Sequence, residues 1–512
     1  MSKTQIKEFL VYRVKQKVRL YRKLKDRKLC PRWISYRTLK TERDKFDRLI
    51  SKLTDEIKRF QLTDALTVGM GTVQLSGFRL LSYNGDFLGK VIEKDGHIYR
   101  GIYKESCSYF ERLWKSGILQ VLALHGYIPE TSITDYFTEE YPIIIEHQRI
   151  SISSSKMWNY EMIKDACIMM TVIQRVCNAF GFKLHDGHLN NITFDNGRCV
   201  FIDIGSFVVD DGLHLGQSLT VVFAGLYRLL FWNLDNSILK RIQVYDEKNN
   251  EIWIAPMYYD TDALEYKHMR SKFMRYHVLH SAPLYNLLVQ KIFYLYDVRP
   301  EYISILFNNK NLREEKGAVG IMKEADRDIK EVISGIKKII PEIESCTDIG
   351  GNFGNLAEAI YHEFKVKVIA ADYRDRDSEI AYCRLREKQI PINTFLYNYI
   401  YGADEESRNC VMADLVTAVD ITNHAEIYQA WKVDSLINSI SKLSKKYCCI
   451  TCHESTDQEK GLSAVRKAFG NFFDICYEKE FDLSDGEKAV LLLGKRGCSK
   501  EEHRDNETEN II

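Results

Sequence analysis

The chain has 512 residues, a formal net charge of +1, 45% hydrophobic residues and 28% charged residues. That balance fits two or three domains with full-sized cores, and nothing in it points to a nucleic acid as a specific partner. The 13 cysteines follow no regular framework. With no signal peptide, they read as reduced thiols in the cytoplasm.

The first 28 residues hold eleven Lys or Arg against Glu8 and Asp26, and Ile6, Leu10, Val14, Val18 and Tyr21 recur at helical spacing. A basic amphipathic helix suits an anionic membrane surface, where each basic residue contributes about 1 kcal/mol. It also suits RNA, or a solvated helix packed on its own protein. The expectation is a cytoplasmic protein, peripheral at the inner face of the membrane through residues 1–28. Pro31 and Trp33 break the pattern. Phe46, Ile50, Leu53, Ile57 and Phe60 then follow a 4-3-4-3 spacing with charges between. This coiled-coil-like helix either pairs with a partner helix, giving a homo-oligomer through the N-terminal helices, or caps the next domain. The helical arm covers residues 1–64.

From Val68-Gly69-Met70-Gly71-Thr72-Val73 the chain is strand-rich to about Arg100, with turns at Asn84-Gly85-Asp86 and Asp95-Gly96. Residues 104–116 read as a helix with Phe110, Leu113 and Trp114 inward, 141–147 as a buried strand, and 160–180 as a strong helix. The longest apolar run, 219–234, is interrupted by Arg228 and is too short and too charged to span a bilayer. It reads as a buried helix. Between these lies Leu184-His185-Asp186-Gly187-His188-Leu189-Asn190-Asn191-Ile192-Thr193-Phe194, then Phe201-Ile202-Asp203-Ile204-Gly205. Two β-type runs flank Asp195-Asn196-Gly197, which predicts a hairpin.

The pattern D-x-H-x-x-N followed by I-D resembles the catalytic loop and metal strand of kinase-fold small-molecule phosphotransferases of the aminoglycoside and choline kinase type. The resemblance implies ATP and Mg2+ as cofactors, Asp186 as catalytic base, and Asn191 and Asp203 as magnesium ligands. His188 would brace the loop. It also implies an α+β bilobal kinase-like domain over 65–310. Its phosphate-binding cation would be Arg100 or Lys104, paired with Glu105 or Glu111. The stretch from Asp95-Gly96 to Ser206 is similar to a bacterial group in which a divergent kinase-like module precedes a methyltransferase. That group usually carries Lys-Asp-Ala where this chain has His185-Asp186-Gly187. A pseudokinase lobe, binding a substrate or partner without ATP, is the alternative.

After a charged helix at 324–340 comes Cys346-Thr347-Asp348-Ile349-Gly350-Gly351-Asn352-Phe353-Gly354, a helix, and a strand ending in Asp372. Strand, glycine loop, helix, strand and acid in this order let a backbone approach a ligand and place a carboxylate on ribose hydroxyls. The spacing D-x-G-x-x-x-G resembles motif I of class I S-adenosylmethionine methyltransferases. The resemblance implies an α/β Rossmann-like domain over 311–497. Asp348, Gly350, Asn352, Gly354, Asp372 and Asp414 would then be cofactor-binding, and His424 the base for an O-methyl acceptor. Strands are expected at 414–420 and 447–452, with 473–481 and 488–493 as a final antiparallel pair. Asp420, His424 and His453 fall where a substrate would meet the strand ends.

Cys449-Ile450-Thr451-Cys452-His453 spells a haem-attachment motif but fits a buried strand better. The tail 498–512 is acidic and reads as disordered. The domain pairing is similar, in parts but not in order, to enzymes that cap bacterial surface polysaccharides by phosphorylation and methylation. That implies a sugar or glycan terminus as substrate.

Overall fold

The computed structural model describes residues 35–63, 68–81, 87–185, 191–210, 243–246, 251–254, 299–306, 326–397, 399, 405–421, 433–453, 462–482 and 488–497. The basic segment 1–28, the apolar run 219–234, the Asn84-Gly85-Asp86 turn, Asp186, His188, His424 and the tail 498–512 lie outside the described residues. No helix among the described residues is long and apolar enough to cross a membrane.

The N-terminal half carries helices α1 (Tyr36–Thr63), α2 (Cys107–Lys115), α3 (Ile118–Leu124), α4 (Tyr160–Asn178) and α5 (Pro300–Leu306). The apolar stripe predicted on α1 is satisfied inside the chain. Phe46, Leu53 and Ile57 are buried, and α1 lies against α3, α4 and α5. Polar contacts fix the register: His125 Nε2 meets Glu56 at 2.5 Å, and the buried Glu301 of α5 meets Arg43 at 3.5 Å. This helix is therefore a wall of the N-terminal half, with Ile50 and Phe60 half-buried along the same stripe.

Strands β1 (Val73–Gln74), β2 (Arg79–Leu80), β3 (Gly89–Lys94), β4 (His97–Ile102), β5 (Thr131–Ile133), β6 (Tyr136–Phe137) and β7 (Ile143–His147) follow in chain order. Five of them form an antiparallel sheet, β2-β3-β4-β7-β5, and β1 pairs with β6. The β3–β4 turn is Asp95-Gly96 with φ of 52° and 83°, the doubly left-handed turn that Asp-Gly favours. Gly71 has a steric reason to be glycine. A methyl group there would overlap the Tyr136 carbonyl.

Past α4, β8 (Phe182–Leu184) pairs with β11 (Phe207–Val209), and β9 (Ile192–Asp195) with β10 (Arg198–Phe201). Asn196 and Gly197 make the predicted hairpin turn, with φ of 50° and 71°. Strands β12 (Gln243–Asp246) and β13 (Glu251–Ile254) pair antiparallel.

The C-terminal half is one seven-stranded sheet. Its strands are β14 (Ser345–Ile349), β15 (Lys367–Asp372), β16 (Asn393–Leu396), β17 (Ala413–Ala418), β18 (Ser444–His453), β19 (Phe473–Asp482) and β20 (Lys488–Arg496). The order is β16-β15-β14-β17-β18-β20-β19. The first five are mutually parallel, and β20 runs antiparallel between β18 and β19. This is a Rossmann-like α/β sheet, reversing direction of growth at β14, with a terminal antiparallel hairpin. Helices α6 (Asp326–Ile339), α7 (Asn355–Phe364), α8 (Asp375–Glu387), α9 (Glu405–Val411), α10 (Val433–Ser441) and α11 (Leu462–Gly470) complete it. Cys449 and Cys452 are wholly buried in β18, whose backbone pairs on both sides. The haem-like motif is a core strand.

The halves share one hydrophobic cluster, in which Phe194 of β9 and Tyr382 of α8 stand edge to face at 5.9 Å. Polar contacts specify the match. Asn159 caps α4 by accepting from Met162 N–H, and its amide donates to Ser378 O at 3.1 Å and Oγ at 3.0 Å. Asp165 accepts from Tyr382 Oη at 2.8 Å and pairs with Arg386. The hairpin turn reaches the edge strand β16, Gly197 N–H donating to Asn393 Oδ1 at 2.7 Å.

Candidate functional site

Two sites follow from this scaffold. In the N-terminal half, the β9–β10 hairpin brings Asn191 and Asp203 together as the spacing predicts, and β4 adds Arg100. Asp203 accepts from Asn191 Nδ2 at 3.2 Å, Gly205 N–H at 3.0 Å, Arg100 Nη2 at 3.4 Å and the Ser206 hydroxyl. Arg100 is buried, and desolvation holds its pKa below the ordinary value while Asp203 opposes that shift. Desolvation, and then the same guanidinium, depress the half-buried His147 to about 3, so His147 is neutral at physiological pH. The Asp203 carboxylate is thus surrounded by protein donors, one of them cationic. The two residues read as magnesium ligands, Asn191 and Asp203, meet each other and Arg100, while Asp186 lies outside the described residues. No group of three or more His, Cys, Asp or Glu among the described residues could hold a metal.

Of the two candidates for a phosphate-binding cation, Arg100 lies in the site. Lys104 does not. It is exposed on the short helical turn before α2, as is Glu105, and Glu111 pairs with Lys115 along α2.

The second site lies at the carboxyl ends of β14, β15 and β17. After Ile349 the chain turns through Gly350 (φ 69°), Asn352 (φ 46°) and Gly354 (φ 76°) into α7. Gly350 and Gly351 N–H donate to Ala371 O at 2.9 and 3.2 Å, folding the loop over the end of β15. Asp348 is buried beneath it, accepting from Thr417 Oγ1 at 2.9 Å and from Ala357 N–H in the first turn of α7. Asp372 accepts from Asn352 N–H at 2.9 Å and Arg374 N–H at 2.8 Å.

Burial is the largest influence on both acids, raising Asp348 to about 7 and Asp372 to about 6. Neither forms an ion pair among the described residues. Asp348 with no ion pair, and Asp372 with only the nearby Arg374 charge, flank the glycine loop as two buried carboxyl groups whose chemistry suits a cationic ligand bearing hydroxyl groups. S-adenosylmethionine has an ammonium, a sulfonium and a ribose, so this donor set fits it.

Asp348, Gly350, Asn352, Gly354 and Asp372 are therefore gathered in one place. Asp414 is not. It begins β17 at the opposite end of the sheet, where its carboxylate accepts from Glu344 N–H and Lys446 Nζ, both at 3.0 Å. The strand it opens was correctly read, but the functional end of that strand is Thr417 onward. Asp420, beyond it, has a left-handed φ of 59°, and its N–H donates to Thr451 Oγ1 at 2.8 Å. Sequence reasoning missed Thr417, Tyr399 and the strand β16 that leads to Tyr399. A four-residue strand is too short to show periodicity, and the Thr417 hydroxyl carries no motif.

Neither any family model nor any curated protein matches the chain. Among solved structures, it is similar to magnesium protoporphyrin IX methyltransferase from Synechocystis PCC 6803 with bound S-adenosylmethionine, at 14% identity and a TM-score of 0.28, covering 37% of this chain and 86% of that one. It is similar to a putative sarcosine dimethylglycine methyltransferase from Galdieria sulphuraria, at 10% identity and a TM-score of 0.28, covering 34% and 87%. It is also similar to phosphoethanolamine N-methyltransferase 2 of Haemonchus contortus, at 14% identity and a TM-score of 0.26, covering 33% and 52%. The fold assignment rests on the strand order, not on these scores.

Proposed function

We propose that the C-terminal half is an S-adenosylmethionine-dependent methyltransferase. The observation that carries this reading is the pair Asp348 and Asp372, buried and outside any ion pair among the described residues, on either side of the Gly350–Gly354 loop at the switch point of the sheet. When bound, the donor supplies an electrophilic methyl group on a sulfonium sulfur. The protein's part is placement. Asp348 faces the amino-acid end, held in orientation by Thr417, and Asp372 accepts from ribose hydroxyls. Calorimetry with S-adenosylhomocysteine tests the reading. The folded wild type binds it, and Asp372→Ala weakens binding by about 1–3 kcal/mol through a lost charge-assisted hydrogen bond. Absence of heat with folded wild type would end the proposal.

For the N-terminal half we favour the binding-module reading, in which a kinase-like lobe holds an acceptor or partner beside the methyl-donor site without transferring phosphate. Descent from a kinase fold is supported by Arg100, which stands on the third strand of its five-stranded sheet, as the phosphate-binding lysine of kinases does. The donors crowding Asp203 favour binding over transfer. Magnesium–ATP should leave the melting temperature unchanged. A shift that Asp203→Ala removes would restore the phosphotransferase reading, with Asp186 as base. By the analogy of parts, the acceptor class is a sugar or glycan terminus, and mass spectrometry of glycan extracts incubated with S-adenosylmethionine addresses it.

A further inference from the structure

Tyr399 follows β16 and is buried, at 1% exposure. Its ring stands edge-on to Tyr373, centroids 5.6 Å apart and planes at 89°. The hydroxyl reaches over the glycine loop: a methyl group built on Gly350 would lie 3.3 Å from that oxygen, with the Ile421 side chain closing the other flank. Buried tyrosine hydroxyls usually find a hydrogen-bond partner. That of Tyr399 makes no hydrogen bond among the described residues. Burial, and then the Asp372 charge, push its pKa well above the ordinary value, so it is a neutral O–H that donates.

The polar groups around the loop divide by sign. Asp348 Oδ2 lies 3.2 Å from where a methyl group on Gly351 would be, and an ionised carboxylate there attracts an ammonium and repels a carboxylate. The carboxylate end of a zwitterionic amino acid therefore needs a hydrogen-bond donor apart from Asp348. Tyr399 is the buried donor over Gly350.

We infer that the Tyr399 hydroxyl donates a hydrogen bond to the carboxylate at the amino-acid end of the methyl donor, making it a donor-binding residue that selects for that end. The inference rests on the methyltransferase reading above and adds to it a residue that motif I does not contain. Asp348 and Tyr399 together form an acceptor and a donor spaced across the loop, complementary to an ammonium and a carboxylate on one carbon.

The test is calorimetry on the full chain with two probes. S-adenosylhomocysteine has the amino-acid end, and 5′-methylthioadenosine lacks it. Tyr399→Phe keeps the ring against Tyr373, and its melting curve reports whether the fold survives. The expected result is a loss of about tenfold or more in affinity for S-adenosylhomocysteine, in the range of a hydrogen bond to a charged group, with affinity for methylthioadenosine unchanged. Equal affinity of Tyr399→Phe and wild type for S-adenosylhomocysteine overturns the inference and leaves the methyltransferase reading standing. An equal loss for both probes places the contact on the nucleoside and also overturns it. Wild type that is folded but binds neither probe sinks the reading and the inference together.

Discussion

Asp203 and the pair Asp348 and Asp372 are carboxyl groups at the ends of β-strands, each placed by a short polar turn, and each singled out by a motif in the sequence. Their surroundings are opposite. Asp203 has a buried guanidinium, an amide, a hydroxyl and a backbone N–H directed at it. Asp348 and Asp372 have backbone N–H groups and one threonine hydroxyl, no ion pair among the described residues, and pKa values that burial raises to about 7 and 6. A half-buried acid matched with a buried cation of its own chain stabilises the fold. A buried acid left without one costs stability until a cationic ligand arrives. The same residue type at matching strand ends thus holds one half together and, on the proposed methyltransferase reading, prepares the other to bind.

The largest effect that would sharpen this contrast is on stability. Asp203→Ala leaves Arg100 buried without its carboxylate and should destabilise the N-terminal half by about 3 kcal/mol, read as a lower denaturant midpoint. Asp372→Ala removes an acid with no ion pair and should cost less. Equal losses would break the comparison. Next is Gly350→Ala. Its φ of 69° and the Ile421 methyl leave no room for a side chain, so the loop must shift. S-adenosylhomocysteine binding should fall below detection, with about 1–2 kcal/mol lost in stability.

The smallest effect is the pH dependence, and its sign is definite. The folded-state values of Asp348 and Asp372 lie above the unfolded carboxylate value of about 3.9, so the folded chain holds protons that the unfolded chain has released. Stability of the unliganded protein should therefore fall as pH rises from about 4 to about 7, and level off above that. Affinity for S-adenosylmethionine should move the other way, rising several-fold between about pH 5.5 and 7.5 as the two acids ionise to meet its positive charges. Asp348→Asn should remove the upper part of that rise. A flat profile in calorimetry would mean that the acids are already ionised without ligand.

Much of the C-terminal half was legible as local pattern. A strand, a glycine loop, a helix and a second strand ending in an acid lie within 27 consecutive residues, 346–372. Backbone geometry allows few ways to fold such a run, so Gly350, Asn352, Gly354 and Asp372 converge as their spacing requires. The hairpin at Asn196-Gly197 was legible for the same reason: two left-handed residues between alternating strands specify one turn. The apolar stripe of α1 was also visible, but not its partners. Periodicity says that a face must be buried without saying against what, and α3, α4 and α5 lie far along the chain.

Charge was the least legible property. In the sequence Arg100 is one of two basic candidates for a ligand, and Asp165 and Arg386 are ordinary charges on helices. Only the tertiary structure decides that Arg100 meets Asp203 103 positions away, and that Asp165 and Arg386 join the two halves across 221. It likewise decides that Asp414 faces the wrong end of its strand while Tyr399 reaches the right loop. Local sequence determines backbone conformation because sterics and hydrogen bonding act over a few residues. Whether a buried charge or hydroxyl is satisfied depends on which distant groups packing brings within about 3 Å, and that is settled only when the chain has closed on itself.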